Sequence, residues 1–137
     1  LTALKRALFT PVAEQYEAFA AANGDDRSVD ALYDLADTFD DALARAVPNT
    51  RLLGPLVAAR AALLRLRRLS ALSTDRLTVA AQSRAATCRA IAVGDAAEAG
   101  RLNHERVQAS LAHSPSILLA GKTAPLVPPA LDLDTDR

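Results

Sequence analysis

Residues 84–99 read RAATCRAIAVGDAAEA, and the punctuation inside this run decides the fold. Ten residues of helix-forming composition reach Val93, and then Gly94-Asp95 interrupts them. Glycine is the residue that enters the left-handed region just past a helix end without steric cost, and aspartate is a preferred N-cap. Glu98 stands three residues after Asp95, the capping-box spacing. The run therefore reads as the end of one helix, a two-residue junction and the start of a second helix, which a link this short folds back beside the first.

Working outward, Ser73-Thr74-Asp75 supplies the turn and cap for a helix over 76–93. The helix after Asp95 is expected to run to about His113, where Ser114-Pro115 stops it. Upstream, Thr10-Pro11 reads as an N-cap with proline at the first helical position, and Gly24 ends that helix. Ser28 caps the next, which extends to Val47 because Pro48 forbids continuation. Gly54-Pro55 precedes a long Leu/Ala/Arg helix over 56–72. No stretch alternates with period two and no internal repeat is present. The expectation is an all-α antiparallel bundle of five or six helices over 1–113, with 114–137 as a Pro-rich irregular tail carrying Pro125, Pro128, Pro129 and three spaced aspartates.

Composition agrees. Of 137 residues, 31 are alanine and 22 leucine, whereas aromatics make up 4%. Alanine and leucine lead the helix scale, and the β-branched and aromatic residues that favour strands are scarce. The length suits one domain with a sizeable core. Collagen-like, disulfide-scaffold and disordered classes are excluded. Cys88 is the single cysteine, which removes intrachain disulfides and paired-thiolate metal sites and favours a reducing, cytoplasmic home. No apolar run reaches the ~18 residues of a membrane span, and Lys5 and Arg6 break the opening pattern, so neither membrane insertion nor a secretory leader is expected. There is no methionine, even at position 1, which reads as a segment of something longer.

The net charge is zero but unevenly spread: residues 1–50 carry nine acids and four bases, and residues 51–110 four acids and ten bases. The zero total supplies no field for nucleic acid. The asymmetry fits either acidic and basic helices packed together or an ordinary solvated surface. Arg60, Arg65, Arg67 and Arg68 read as a solvated or dimer-facing face, with a phosphate-contacting patch as the sharper alternative.

Three charges fall where core is expected. The apolar stripe of the helix over 76–93 is Leu77, Ala81, Arg84, Cys88 and Ile91, with Arg84 in its middle. The following helix gives Ala99, Leu102, Arg106, Ala109 and His113, with Arg106 likewise mid-stripe. On the helix from Ser28, the stripe Leu32, Leu35/Ala36, Phe39, Leu43, Ala46 is bordered by Asp40. Buried charges are costly unless paired. One reading is an internal salt bridge between Asp40 and Arg84 or Arg106. The other is a polar cavity in which a guanidinium is left to grip an anion bidentately. Cys88 reads as a small core residue, and His104 and His113 lie too far around their helix to form a metal pair. No nucleophile–base set or phosphate loop is present, and no enzyme is expected.

Phe39-Asp40 followed by Asn49 and Arg51-Leu52 resembles a signature of the form F-H-x-x-L…N-x-x-L, and Arg84 to Ala99 resembles H-x-x-I-x-x-A-I-x-x-G-D-x-x-x-A. Together, over roughly 28–113, they resemble the FCD domain, the effector-binding and dimerisation domain of FadR-type GntR transcriptional regulators. The resemblance implies a helical bundle that dimerises, binds a small carboxylate-bearing metabolite and serves a winged helix-turn-helix for DNA contact. That DNA-binding segment is not expected within this chain. Many members hold a divalent metal with one Asp and three His. At those positions this sequence has Ala36 (beside Asp37), Asp40, Arg84 and Arg106, with His104 two positions off register. The resemblance thus implies a homodimeric sensor without metal or other cofactor, in which Arg84, Arg106, Asp40 and Ala36 line a site for an anionic metabolite of carboxylate or fatty-acyl type. A structural dimerisation module, its degenerate site closed by internal salt bridges, is the alternative.

Overall fold

A computed structural model of the chain describes residues 1–22, 27–47, 49, 51, 54–55, 57–61 and 74–120, and of 111 and 113–120 the backbone alone. Among these residues the architecture is an all-α antiparallel bundle: α1 (Ala3–Arg6), α2 (Phe9–Ala21), α3 (Val29–Ala46), α4 (Thr74–Val93) and α5 (Ala96–Ala120). Residues 57–61 are also helical. No described residue is in a strand.

The core is organised by α2. Phe9, Val12, Ala13, Tyr16 and Phe19 recur at helical spacing and are all buried. They pack chiefly on α4, which offers Leu77, Ala81, Ala85 and Cys88 from one face. Three large rings on one helix and small side chains on the other let the two backbones approach closely. Phe9 and Tyr16 are completely covered, and removing a buried ring of this kind costs about 3–5 kcal/mol. On the other side of α2, α3 contributes Leu32, Ala42 and Ala46, and Phe39 meets Phe9 edge-on at a centroid distance of 5.9 Å. A bidentate ion pair between Arg89 and Glu17 (2.8 and 2.7 Å) ties α4 to α2 at the surface. Helix α5 lies along α4, and none of its described residues is buried.

Several local expectations are met. Ser28 caps α3, its hydroxyl accepting from the Ala31 N–H at 3.0 Å. At the α4–α5 junction Gly94 takes φ +86°. Its N–H donates to the Ile91 carbonyl at 3.0 Å, and the Asp95 N–H donates to that of Ala90 at 2.9 Å, the paired bonds of a Schellman ending. Asp95 Oδ1 then accepts from the Glu98 N–H at 3.0 Å.

Others are corrected. Helix α2 begins at Phe9 with Leu8 as N-cap and no side-chain cap, so Thr10 and Pro11 lie inside the first turn. The first four N–H groups of a helix are free anyway, so proline is as well suited to that place as to the start. Glu98 does not close a capping box, since its carboxylate is taken by Arg101 at 2.8 and 2.6 Å and the Asp95 N–H is already used. Helix α5 passes Ser114-Pro115 and ends at Ala120, which moves the end of the helical region beyond His113. A proline removes one backbone donor, and the Ile117–Ala120 run that follows favours helix. Gly24, Pro48, most of the expected helix over 56–72 and the tail from Gly121 lie outside the described residues.

A Cβ at Gly94 would force a side chain into the left-handed region and would also meet the Arg6 guanidinium, whose Nη1 donates to the Val93 carbonyl at 3.4 Å. Gly94→Ala is therefore expected to lose about 1–2 kcal/mol, seen as a lower midpoint in thermal denaturation followed by circular dichroism. The loss should persist in an Arg6→Ala background, because backbone strain rather than the mobile arginine tip sets it.

Candidate anion-binding site

Three helices bring the inward charges to one region, and α2 adds a tyrosine. Tyr16 comes from the middle of the α2 stripe, Asp40 from α3, Arg84 from α4 and Arg106 from α5. The Arg84 guanidinium carbon lies 6.0 Å from the centroid of the Tyr16 ring, a cation–π distance. Arg106 is half-buried; desolvation first, and then the like charge of Arg84, lower its pKa below the ordinary arginine value. Tyr16 and Asp40 act on Arg106 in the opposite sense. Ala36, on α3, is buried beside Asp40's turn and leaves only a methyl group there.

Neither guanidinium has a carboxylate partner among the described residues. Arg106 Nη2 donates to Asn103 Oδ1 at 2.9 Å, one turn away on its own helix. The internal bridge from Asp40 to Arg84 or Arg106 does not form. Asp40 Oδ2 instead accepts from Arg60 Nε at 3.1 Å, and Arg60 also reaches Asp41 at 3.2 Å. Burial opposes the Arg60 charge, but hydrogen bonds and attraction from Asp40 and Asp41 outweigh it and raise its pKa. The expected meeting of acidic and basic helices is thus made by Arg60 against α3, so Arg60 is turned inward, not left on a solvated face. Arg65, Arg67 and Arg68 lie outside the described residues.

Tyr16 is the residue that the stripe argument missed. Its hydroxyl is fully buried and has no hydrogen-bond partner among the described residues. Desolvation raises its pKa to about 12, opposed in part by the charge and the hydrogen-bonding pull of the nearby Arg84, although no bond of normal geometry forms. A tyrosine midway between Phe9 and Phe19 was the signal, because its ring belongs in a core but its hydroxyl does not. Cys88, one turn from Arg84, is fully buried as expected of a core residue. Desolvation lifts its thiol to about 12, the wrong direction for a nucleophile. His104 is exposed.

The metal-binding set that the FCD resemblance implies does not fit these residues. A methyl group, a carboxylate engaged by Arg60 and two guanidiniums offer a cation almost nothing, and guanidiniums have no lone pair to give. Among the described residues no three of His, Cys, Asp and Glu converge. What the cluster offers is donors, two of them charged. Two grooves lie away from the cluster, one of about 290 Å³ near Arg6, Ile91 and Ala99, and one of about 380 Å³ between α2 and α3 near Pro11 and Arg45. No helix among the described residues is long and apolar enough to cross a membrane. No family model, curated protein or solved structure matches the chain.

The orphan hydroxyl has a measurable cost. Tyr16→Phe is expected to stabilise the unliganded protein by about 1 kcal/mol at neutral pH, since a polar group without a partner is removed from the core. For Tyr16 and Cys88 the folded pKa lies above the ordinary values of 10.0 and 9.0, so their contribution is intact below about pH 9 and is lost as pH rises towards 12. Melting temperatures from pH 8 to 12 should fall less steeply for Tyr16→Phe than for the parent.

Proposed function

We propose that the chain is the ligand-sensing and dimerising domain of a GntR/FadR-type bacterial transcriptional regulator, acting in the cytoplasm. It binds a small anionic metabolite, of carboxylate or fatty-acyl type, without a metal. The observation that carries this reading is a pair of half-buried guanidiniums, Arg84 and Arg106, with no carboxylate partner among the described residues and with the unpartnered Tyr16 hydroxyl close by. Interior positive charge with nothing to neutralise it is costly, and an anion that accepts from both arginines and the tyrosine removes that cost. The resemblance of Phe39–Leu52 and Arg84–Ala99 to the FCD signatures supports the same assignment, because Arg84 and Arg106 stand where the family places metal ligands.

The mechanism is a population shift. An anion gripped by Arg84 on α4 and Arg106 on α5 favours the packing in which those helices are closest. In a homodimer that packing sets the spacing of attached winged helix-turn-helix domains, and hence their fit to DNA half-sites. The alternative, a dimerisation module whose site is closed by internal salt bridges, is disfavoured by the engagement of Asp40 with Arg60. The domain acts by binding, not as an enzyme.

Thermal-shift screening against fatty acids, acyl-CoAs and short dicarboxylates tests this. A true effector at a hundredfold excess over its Kd adds about 2.7 kcal/mol of stability. Arg84→Ala and Arg106→Ala should each abolish the shift, and Tyr16→Phe should reduce it although that variant is more stable without ligand. Absence of any shift across the three ligand classes would favour the purely structural module.

A further inference from the structure

Asp40 lies close enough for its charge to act on Arg106 and on Tyr16, whose ring Arg84 covers, yet its hydrogen bond goes to a different arginine. Arg60 Nε donates to Asp40 Oδ2 at 3.1 Å. The same guanidinium is anchored independently of Asp40: Nη1 and Nη2 donate to Asp41 Oδ1 at 3.3 and 3.2 Å, and Nη2 donates to the Asp37 carbonyl at 3.0 Å. Four bonds spread over one turn of α3 hold a planar fork in a fixed place, and Asp40 is held by it. Asp40 and Arg60 side chains are only 23% and 27% exposed, so water screens this pair poorly.

A half-buried carboxylate that lost Arg60 would stand within electrostatic reach of Arg106, which has no carboxylate of its own among the described residues, and Arg84 is the next charge along. Turning towards them would be the cheapest way to satisfy all three charges, and it would fill the place of an external anion. We propose that Arg60 is a positioning residue of the anion site: it keeps Asp40 from acting as an internal competitor for Arg84 and Arg106. This rests on the reading of those arginines as ligand-binding. Arg60 touches no ligand; it acts through Asp40 alone.

The test is isothermal titration of the full chain with succinate and with inorganic phosphate, in the parent, Arg60→Ala, Asp40→Asn, the Arg60→Ala/Asp40→Asn double variant and Arg84→Ala, each checked for helicity by circular dichroism. Arg60→Ala should weaken the better-binding probe by about tenfold or more, whereas the double variant should return to within about threefold of the parent. Asp40→Asn alone should bind as tightly as the parent or more tightly. Rescue in the double variant is decisive when the Arg60→Ala melting temperature stays within a few degrees of the parent's, because a merely structural role would appear as lost stability in the single variant, which neutralising the unpaired Asp40 would also relieve. If Arg60→Ala does not fold, Arg60→Gln provides the same comparison. Binding that is lost in Arg84→Ala but indifferent to Arg60, or a double variant as weak as Arg60→Ala, overturns the inference and leaves the anion site standing. If the parent binds neither probe, the same titrations are made with the strongest hit of the thermal-shift screen, and absence of any hit makes the site and the inference fall together.

Discussion

Everything in this bundle depends on how closely α2 can approach α4. The rings of Phe9, Tyr16 and Phe19 are set into a face built from Ala81, Ala85 and Cys88, and all six side chains are buried. Small residues there are not filler. They bring a backbone near enough that Tyr16, in the middle of the interface, lies under the Arg84 guanidinium. A leucine at Ala81 or Ala85 would hold the helices apart and remove the ceiling of the polar cluster, so the packing that stabilises the fold also builds the site.

The same contact explains why the cluster is strained electrostatically. Arg84 is anchored over a ring instead of beside a carboxylate, and Arg106 is held by the side-chain oxygen of Asn103. A cation–π contact and one neutral acceptor compensate a guanidinium less well than a bidentate carboxylate does. Asp40, the carboxylate among the described residues whose charge reaches Arg106, belongs to Arg60. The site is therefore rich in donors and poor in acceptors, the opposite of a metal centre and the natural complement of an anion.

How much of this was readable beforehand differs from element to element. Gly94-Asp95 announced the α4–α5 turn because only a left-handed residue followed by a capping side chain makes that ending. Ser28 announced α3 for the same kind of reason. Pro115 misled, because a proline weakens a helix by one bond without obliging it to stop, and the residues that follow favour helix. Arg84, Arg106 and Asp40 were found by stripe periodicity, which reports the face of a residue but not its partner. The partner of Asp40 was hidden because Arg60 belongs to a stretch so rich in Leu, Ala and Arg that no face stands out. Tyr16 was hidden for the reverse reason: among Phe9, Val12 and Phe19 it looks like ordinary core, and only its unpartnered hydroxyl marks it as more.

The shallow seating of α5 has its own consequence. Helices α2 and α4 form the stiff part of the molecule, whereas α5 rests on α4 through half-covered residues and has no described side chain fully enclosed. Local opening costs least where least apolar surface is buried, so α5 opens more readily than α2 or α4. Arg84 stands on the stiff part and Arg106 on the breathing one. Any anion shared between them acts as a rivet across a seam, converting a loosely laid helix into part of the rigid body.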